Sequence, residues 1–563
     1  MNIQEQINKL DWLRESVIGR NKRISTPYGK RPLVYADYTA SGRSVTFIEN
    51  YLNYLLQFYA NTHTKDDFTG QTMTERLHQA EIKIKQLVNA GKHGRIIFAG
   101  TGATGGIARL QQILGVYWPP STKNRLMQLL DQCEDPKEAE KLRNYIEHHQ
   151  PVVFVSPYEH HSNEIMWRHT VCEVVETPLD KKGYIDLVEL EKLLQKEKYK
   201  DRDKIGSFSA ASNVTGIKTP VYKVARILHR HNAIACFDFA ACAPYVEINM
   251  NKDDEAYFDA IFLSPHKFLG GPGSSGLLIF NEKIYHKELP PTISAGGTVM
   301  FVNFKKELFS KNIEEREKPG TPGILQDIKA SLAFELKNRI GINIIENIEK
   351  DYLQKFQQAF ADQEKMVLYG PQDPERKINI IPFNIRHNDR WLHPKFVTRL
   401  MNDLFGIQTR AGCLCAGPYA HRLLNIDNQL SEKCMLLLQT KGYGGLKRGW
   451  VRLNIHYTLS EDEFNYIVQA IKFIVKHGYK FLPVYEFNIE TGEWSHNEEE
   501  IEDNELIEQE IKAIIKEFKT AKTDQHSDKS PDFDKIIKRA YQIAENLKEP
   551  EKYITFEDEI EEV

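Results

Sequence analysis

Short apolar runs recur through the first half of the chain: RIIF at 95–98, VVFV at 152–155, IGSF at 205–208, AIACF at 233–237, AIFL at 260–263 and GLLIF at 276–280. Each is strand-length and ends in small or polar residues. Between several of them lie stretches of helical character, as at 221–231, and residues 48–59 and 73–88 carry apolar side chains at helical spacing ahead of the series. Strands alternating with helices predict an α/β domain with a mainly parallel sheet. Ligands of such sheets sit beyond the carboxyl ends of the strands. The polar residues that follow each run are therefore the ones to inspect.

Three boundaries frame that domain. Residues 1–60 are expected to form an N-terminal segment that joins a smaller domain and the active-site entrance, and 61–325 the large domain. Residues 326–480 are predicted to be a smaller α+β domain, and 481–563 a charged, helical and partly flexible extension. The acidic run at 497–510 and the polar stretch at 520–532 read as solvated helix and linker. Within the smaller domain, Ser460 followed by Glu463 has the form of a capping box opening a helix.

The 563 residues carry a net charge of −4, which argues against nucleic acid or a membrane surface as partner. No run approaches membrane-spanning length, and the N-terminus has no apolar leader core. Seven cysteines are scattered without paired metal spacing, so no metal is expected and the compartment reads as reducing and cytoplasmic.

Residues 100–105, GTGATG, formally match a dinucleotide fingerprint between a strand and a helix. The acidic residue that would bind a ribose about 20 positions on is missing, because no Asp or Glu falls between Gly105 and Asp131. What remains is a phosphate cradle: free backbone N–H groups at a helix N-terminus, beside the hydroxyls of Thr101 and Thr104. A second formal match, GPGSSG at 271–276, leads into a strand and is set aside.

Asp238 closes the run AIACFD, and Lys267 lies in the polar, Gly-rich turn after the next strand. Taken alone, Lys267 is a surface lysine in a hairpin and Asp238 an acid at an exposed strand end. Together with the cradle they match the needs of pyridoxal phosphate: an anchor for its phosphate, an anion for its pyridinium nitrogen and an amine for its aldehyde.

With these parts in order, residues 30–480 resemble the class V aminotransferase group of fold-type I pyridoxal-phosphate enzymes, notably cysteine desulfurases and selenocysteine lyases. The S-x-H-K motif is met by Ser264, His266 and Lys267, the phosphate loop by Gly102, Ala103 and Thr104, and E-H-H-x-N by Glu159 to Asn163. S-N-x-x-G is met by Ser212, Asn213 and Gly216, and G-G-T by Gly296, Gly297 and Thr298. The resemblance implies Lys267 as the Schiff-base lysine and base, with Ser264 and His266 on the phosphate. It implies His160 stacked on the cofactor ring, Asn213 near its phenolic oxygen, and Thr298 reaching a phosphate across a homodimer interface. Asn61, His63 and Ala40 would face the substrate.

Cys413 and Cys415 flank one residue. On spacing alone they are zinc ligands without a partner pair, buried structural thiols, or a nucleophile. The family pattern R-x-G-x-x-C-A-x-P is met by Arg410, Gly412, Cys415, Ala416 and Pro418. By resemblance Arg410 binds a substrate carboxylate through its fork, and Cys415 takes sulfur or selenium from cysteine or selenocysteine to leave alanine and a persulfide. A sulfur-acceptor protein would follow. Where desulfurases carry D-x-A-Q, this chain has Asp238, Phe239, Ala240 and Ala241, wording nearer to molybdenum cofactor sulfurases, as is R-x-G-C-x-C at 410–415. The alternatives are a C–S lyase or epimerase that needs Lys267 but not Cys415, a sulfurase acting on a cofactor, or a scaffold acting through its tail.

Overall fold

A computed structural model describes residues 3–8, 10–133, 135–498, 510–512 and 514. The strand-like runs become one sheet: β1 (Gly94–Phe98), β2 (Val152–Val155), β3 (Glu173–Glu176), β4 (Lys204–Ser209), β5 (Ala233–Asp238), β6 (Ala260–Leu263) and β7 (Leu277–Asn281). Their order across the sheet is β1-β7-β6-β5-β4-β2-β3. Only β7 runs against its neighbours, pairing antiparallel with both β1 and β6. Val152–Val155 and Lys204–Ser209 are buried along their whole length because both faces are covered, which is why they read as continuous apolar runs rather than alternating ones.

The β6–turn–β7 segment folds as its residues suggest. Leu277 pairs with Leu263, and the 3₁₀ turn Pro265–Lys267 stands just past the end of β6. Two helices, Pro120–Asp131 and Pro136–His149, occupy the charged stretch before β2, and Ala139 is the one residue of either helix that is buried.

A second sheet follows, with β8 (Met366–Leu368), β9 (Ile380–His387), β10 (Arg410–Gly412) and β11 (Trp450–Asn454) in the order β8-β9-β11-β10. Ser460 and Glu463 form the reciprocal capping box at the start of helix Glu461–His477. The N-terminal segment joins this layer: Val34 and Tyr35 pair in parallel with Ile407 and Gln408.

The charged extension, expected from 481, starts later along the chain. Tyr485–Phe487 and Trp494–His496 pair as a hairpin. Trp494 packs on Phe396 at 4.8 Å between ring centroids, and the Tyr485 hydroxyl donates to Asp403 at 2.9 Å. Apolar rings, not the surrounding charge, decide where those residues lie. The chain is one compact unit over Met1–Glu498; of Glu499–Val563 only 510–512 and 514 are described, in helix. The predicted acidic helix and linker therefore fall almost wholly outside the described residues. Among the described residues no helix is long and apolar enough to cross a membrane.

Candidate active site

The carboxyl ends of β1, β2, β4, β5 and β6 open into a cleft of about 1030 Å³. Gly102, Ala103, Thr104, His160, Asn213, Asp238, Ser264, His266 and Lys267 line it, and so do Ala40, Arg410, Cys413 and Cys415. Parallel strands bring this about, because residues as far apart as Gly102 and Lys267 leave the sheet at the same edge.

The cradle is built by close approach. Gly102 stands before helix Ala103–Ile113 and, having no side chain, caps none of the N–H groups of its first turn. The Ala103 N–H donates to Ser264 Oγ at 2.9 Å, fixing the β6 turn against the loop. A Cβ on Gly276 would sit 2.3 Å from the Gly102 carbonyl oxygen, so only glycine lets β7 pass this close. Thr104 Oγ1 and Ser162 Oγ are 2.7 Å apart. Open donors beside two hydroxyls and an imidazole suit a phosphate.

The floor carries the charge. Burial lowers the Lys267 amine to about 8, opposed by the nearby Asp238 carboxylate. No hydrogen bond or ion pair holds its Nζ among the described residues. Asp238 is buried, accepts the Ala240 N–H at 2.8 Å, and has its carboxyl raised by burial against that bond and Lys267. The two are electrically coupled without forming an ion pair. An amine and a buried acid that line one cleft without pairing suit a cationic ring of the pyridinium kind. His160 is pushed down to about 4 by burial and by Lys267, so its imidazole is neutral at physiological pH. His266 is likewise lowered to about 4 by burial and Lys267. Beneath His160, the buried Glu159 is raised to about 7 by burial, against hydrogen bonds from Ser156, Ser209 and Asn163.

The Cys415 loop comes from the other layer and is stitched to the floor. Leu414 and Cys415 both have left-handed backbone, φ 56° and 58°, unusual for side chains of their kind. The Ala416 N–H closes the turn on the Cys413 carbonyl at 3.2 Å, and three further hydrogen bonds tie the loop to the floor. The Asn213 amide donates to the Leu414 carbonyl at 2.7 Å, the His161 N–H to the Cys415 carbonyl at 2.8 Å, and the Gly417 N–H to His161 Nε2 at 3.0 Å. Cys415 itself is exposed within the cleft.

Some predicted residues lie elsewhere. Asn61, His63 and Thr298 do not line the cleft. Asn61 donates to Thr321 Oγ1 at 3.2 Å, and a Cβ on Gly297, next to Thr298 in the chain, would sit 3.7 Å from His63 Nε2. Thr298 is fully buried, and its hydroxyl donates to the Ala295 carbonyl at 2.7 Å.

Sequence reasoning missed Asp37 and Arg452. Asp37 is shared by two arginines, accepting from Arg410 Nε and from an Arg452 terminal nitrogen, each at 2.8 Å. Arg410 is half exposed, whereas Arg452 is buried, lines the cleft, and has an Nε with no partner. The signal was an arginine inside the apolar strand WVRLN, which burial makes costly unless it is paired. His393, Lys395, Lys447 and Glu490 were also missed; they form the outer wall of the cleft.

An amine able to condense with a carbonyl, a buried anion opposite it and a phosphate cradle together define an enzyme of the kind built around pyridoxal phosphate. The sequence pattern of the family described as Aminotransferase class-V matches residues 139–435, and the chain belongs to that family. A probable cysteine desulfurase of Halalkalibacterium halodurans is 28% identical over 392 residues, covering 69% of this chain and 85% of the relative. One from Staphylococcus aureus is 26% identical over 405 residues, covering 71% and 86%. Among solved structures, the apo cysteine desulfurase of Thermococcus onnurineus superposes with a TM-score of 0.62 at 21% identity, over 79% of this chain and 95% of that one. The Escherichia coli cysteine desulfurase CsdA, in an S-sulfonic acid form, gives 0.61 at 19%, over 84% and 99%. These two likenesses show the shared fold.

Proposed function

We propose that the chain is a cysteine desulfurase-type enzyme that moves sulfur from a small amino acid to Cys415. The observation that carries this reading is the Cys415 loop, pinned by three hydrogen bonds over the cleft that holds Lys267. A lyase or epimerase that works without Cys415 has no use for such a loop. The probable desulfurases among its relatives support the same reading.

Gly102, Ala103, Thr104, Ser264 and His266 would hold the phosphate of pyridoxal phosphate, Asp238 its ring nitrogen, and neutral His160 would cover its ring. When bound, that cofactor supplies the electron sink that loosens bonds at the Cα and Cβ of an amino acid. Lys267, whose amine is easily neutral, serves as the base that takes and returns the Cα proton. Arg452, buried with an unpartnered Nε, and Arg410 receive the substrate carboxylate, and Asp37 orients both. The Cys415 thiolate forms an S–S bond to the substrate sulfur as the Cβ–S bond breaks. The released electron pair and a proton stay with the carbon skeleton, which departs as alanine, and Cys415 keeps a persulfide.

A homodimer fits the same picture. The hairpin of Val299–Val302 and Glu307–Phe309 exposes Met300, Phe301, Val302, Phe304 and Leu308, an apolar patch of the kind that marks an interface. The nearby cluster of Asn61, His63 and the Gly296–Gly297 backbone would then serve the site of a second copy.

Product analysis tests the reading. Holoenzyme given L-cysteine and a thiol reductant should yield alanine and sulfide in equal amounts, and Cys415→Ala should lose both while keeping its cofactor band. Pyruvate and ammonia in place of alanine, undiminished in Cys415→Ala, would make the chain a lyase.

A further inference from the structure

Away from the cleft, a cavity of about 150 Å³ lies where helix Ile342–Ala359, the segment leading into β9 and the loop after β5 meet. Four buried polar atoms around it have no hydrogen-bond partner: Lys377 Nζ, Glu349 Oε1, Asn379 Oδ1 and the Tyr245 hydroxyl. All four residues are at most 5% exposed. A buried ammonium, a carboxylate and an amide oxygen left unpaired in one place are each costly. Burial pushes the Lys377 amine down to about 8. It also holds the Glu349 carboxyl well above its ordinary range, against backbone hydrogen bonds from Tyr457 and Asn379. Both groups are thus driven toward their neutral forms.

What would complete the cavity follows from the walls. Lys377 needs an acceptor, preferably anionic; Glu349 and Asn379 need donors, preferably cationic. A metal ion would answer only Glu349 and Asn379 and leave the Lys377 amine unpartnered, and a simple anion would answer only Lys377. A zwitterion satisfies both. The volume admits about five waters at roughly 30 Å³ each, or one small amino acid. We propose that this cavity is a second amino-acid site, taking a small zwitterion of the size of alanine with its carboxylate on Lys377 and its ammonium on Glu349 and Asn379.

The site is wired to the cleft through short backbone links. The Ile378 N–H donates to the Gly216 carbonyl at 2.8 Å, and Gly216 closes the turn that carries Asn213. On the other side the Asn454 amide donates to the Asn379 carbonyl at 2.6 Å, two residues along β11 from Arg452. An occupant joining Lys377 to Glu349 would brace the same segments that position Asn213 and Arg452.

Equilibrium dialysis of the holoenzyme with radiolabelled L-alanine tests this. Alanine in the cleft alters the cofactor's visible absorbance, whereas alanine in the second site is silent there, so the two are counted separately. Two alanines per chain are expected in the natural protein and one in Lys377→Met, with the absorbance change retained. L-Alaninamide and N-acetyl-L-alanine, each lacking one charge, should leave the silent site unfilled. This series on the unaltered protein decides the matter even if Lys377→Met does not fold. A single alanine per chain, or silent binding that ignores either missing charge, would overturn the proposal and leave ordered water in the cavity. The count does not depend on desulfurase chemistry, which is read from the products of cysteine.

Discussion

The floor of the cleft and the loop above it are built on opposite plans. Lys267, Asp238 and the cradle stand at the ends of β1, β5 and β6, strands buried within one sheet, so their positions follow from the sheet itself. Cys415 stands on a loop with two left-handed residues, held by contacts to chain more than two hundred residues earlier. A rigid floor can hold a cofactor through many turnovers. A thiol that must approach a substrate sulfur and then hand it on is better carried by a loop whose conformation rests on a few breakable bonds. The difference separates binding from transfer.

Removing the floor's amine gives the largest effect. Lys267→Ala should lower alanine formation from cysteine by at least about 10⁴-fold, the upper range for a lost general base. The visible band of the lysine-bound cofactor should vanish too, which Cys415→Ala should leave in place. An unchanged band in Lys267→Ala would move the reactive amine elsewhere.

Asp37 spans the two regions, since Arg410 precedes the loop and Arg452, its partner across the second sheet, donates to the Asn213 carbonyl of the floor at 3.1 Å. Asp37→Asn leaves Arg452, 4% exposed, without its carboxylate. Breaking a buried pair from one side costs about 3 kcal/mol, to be read as a lower urea midpoint with unchanged slope. A midpoint equal to that of the natural protein would show that Arg452 finds its charge balance elsewhere.

A pH titration sharpens the view of the floor. Burial disfavours the ammonium form of Lys267, so the neutral amine dominates above about 8. Recombination of apoenzyme with pyridoxal phosphate should therefore accelerate about tenfold per pH unit below 8 and level off above it. Acceleration continuing to about 10, the range of a free lysine, would mean that Lys267 is solvated and the floor is not dry.

How much of this was legible in the sequence follows from the same contrast. The strands and the residues at their ends could be anticipated, because apolar runs and the small or polar residues after them are local signals. The family, with the fold it implies, was legible for the same reason. The pairing of Asp37 with Arg452 was not, since they are 415 residues apart and an arginine in an apolar strand does not say which acid answers it. That Asn61 and His63 stand outside the cleft was also hidden, because motif order carries no information on which face a loop takes. The hairpin at 485–496 was submerged in a charged composition, although Tyr485 and Trp494 are the residues that decide its packing.

The smallest expected effect tests the link between the regions. Asn213 belongs to the floor by sequence, in the turn after β4, yet its amide is spent on the Leu414 carbonyl at 2.7 Å. Asn213→Ala removes one neutral hydrogen bond, worth about 1 kcal/mol, and leaves the other two ties of the loop intact. If that bond serves to hold the thiol in place, alanine release should fall about fivefold while the cofactor band and its binding stay as they were. If Asn213 instead serves the cofactor, as the family resemblance implies, the band should shift and cofactor affinity should drop together with the rate. The absorbance spectrum of one variant thus decides whether this residue works for the floor or for the loop.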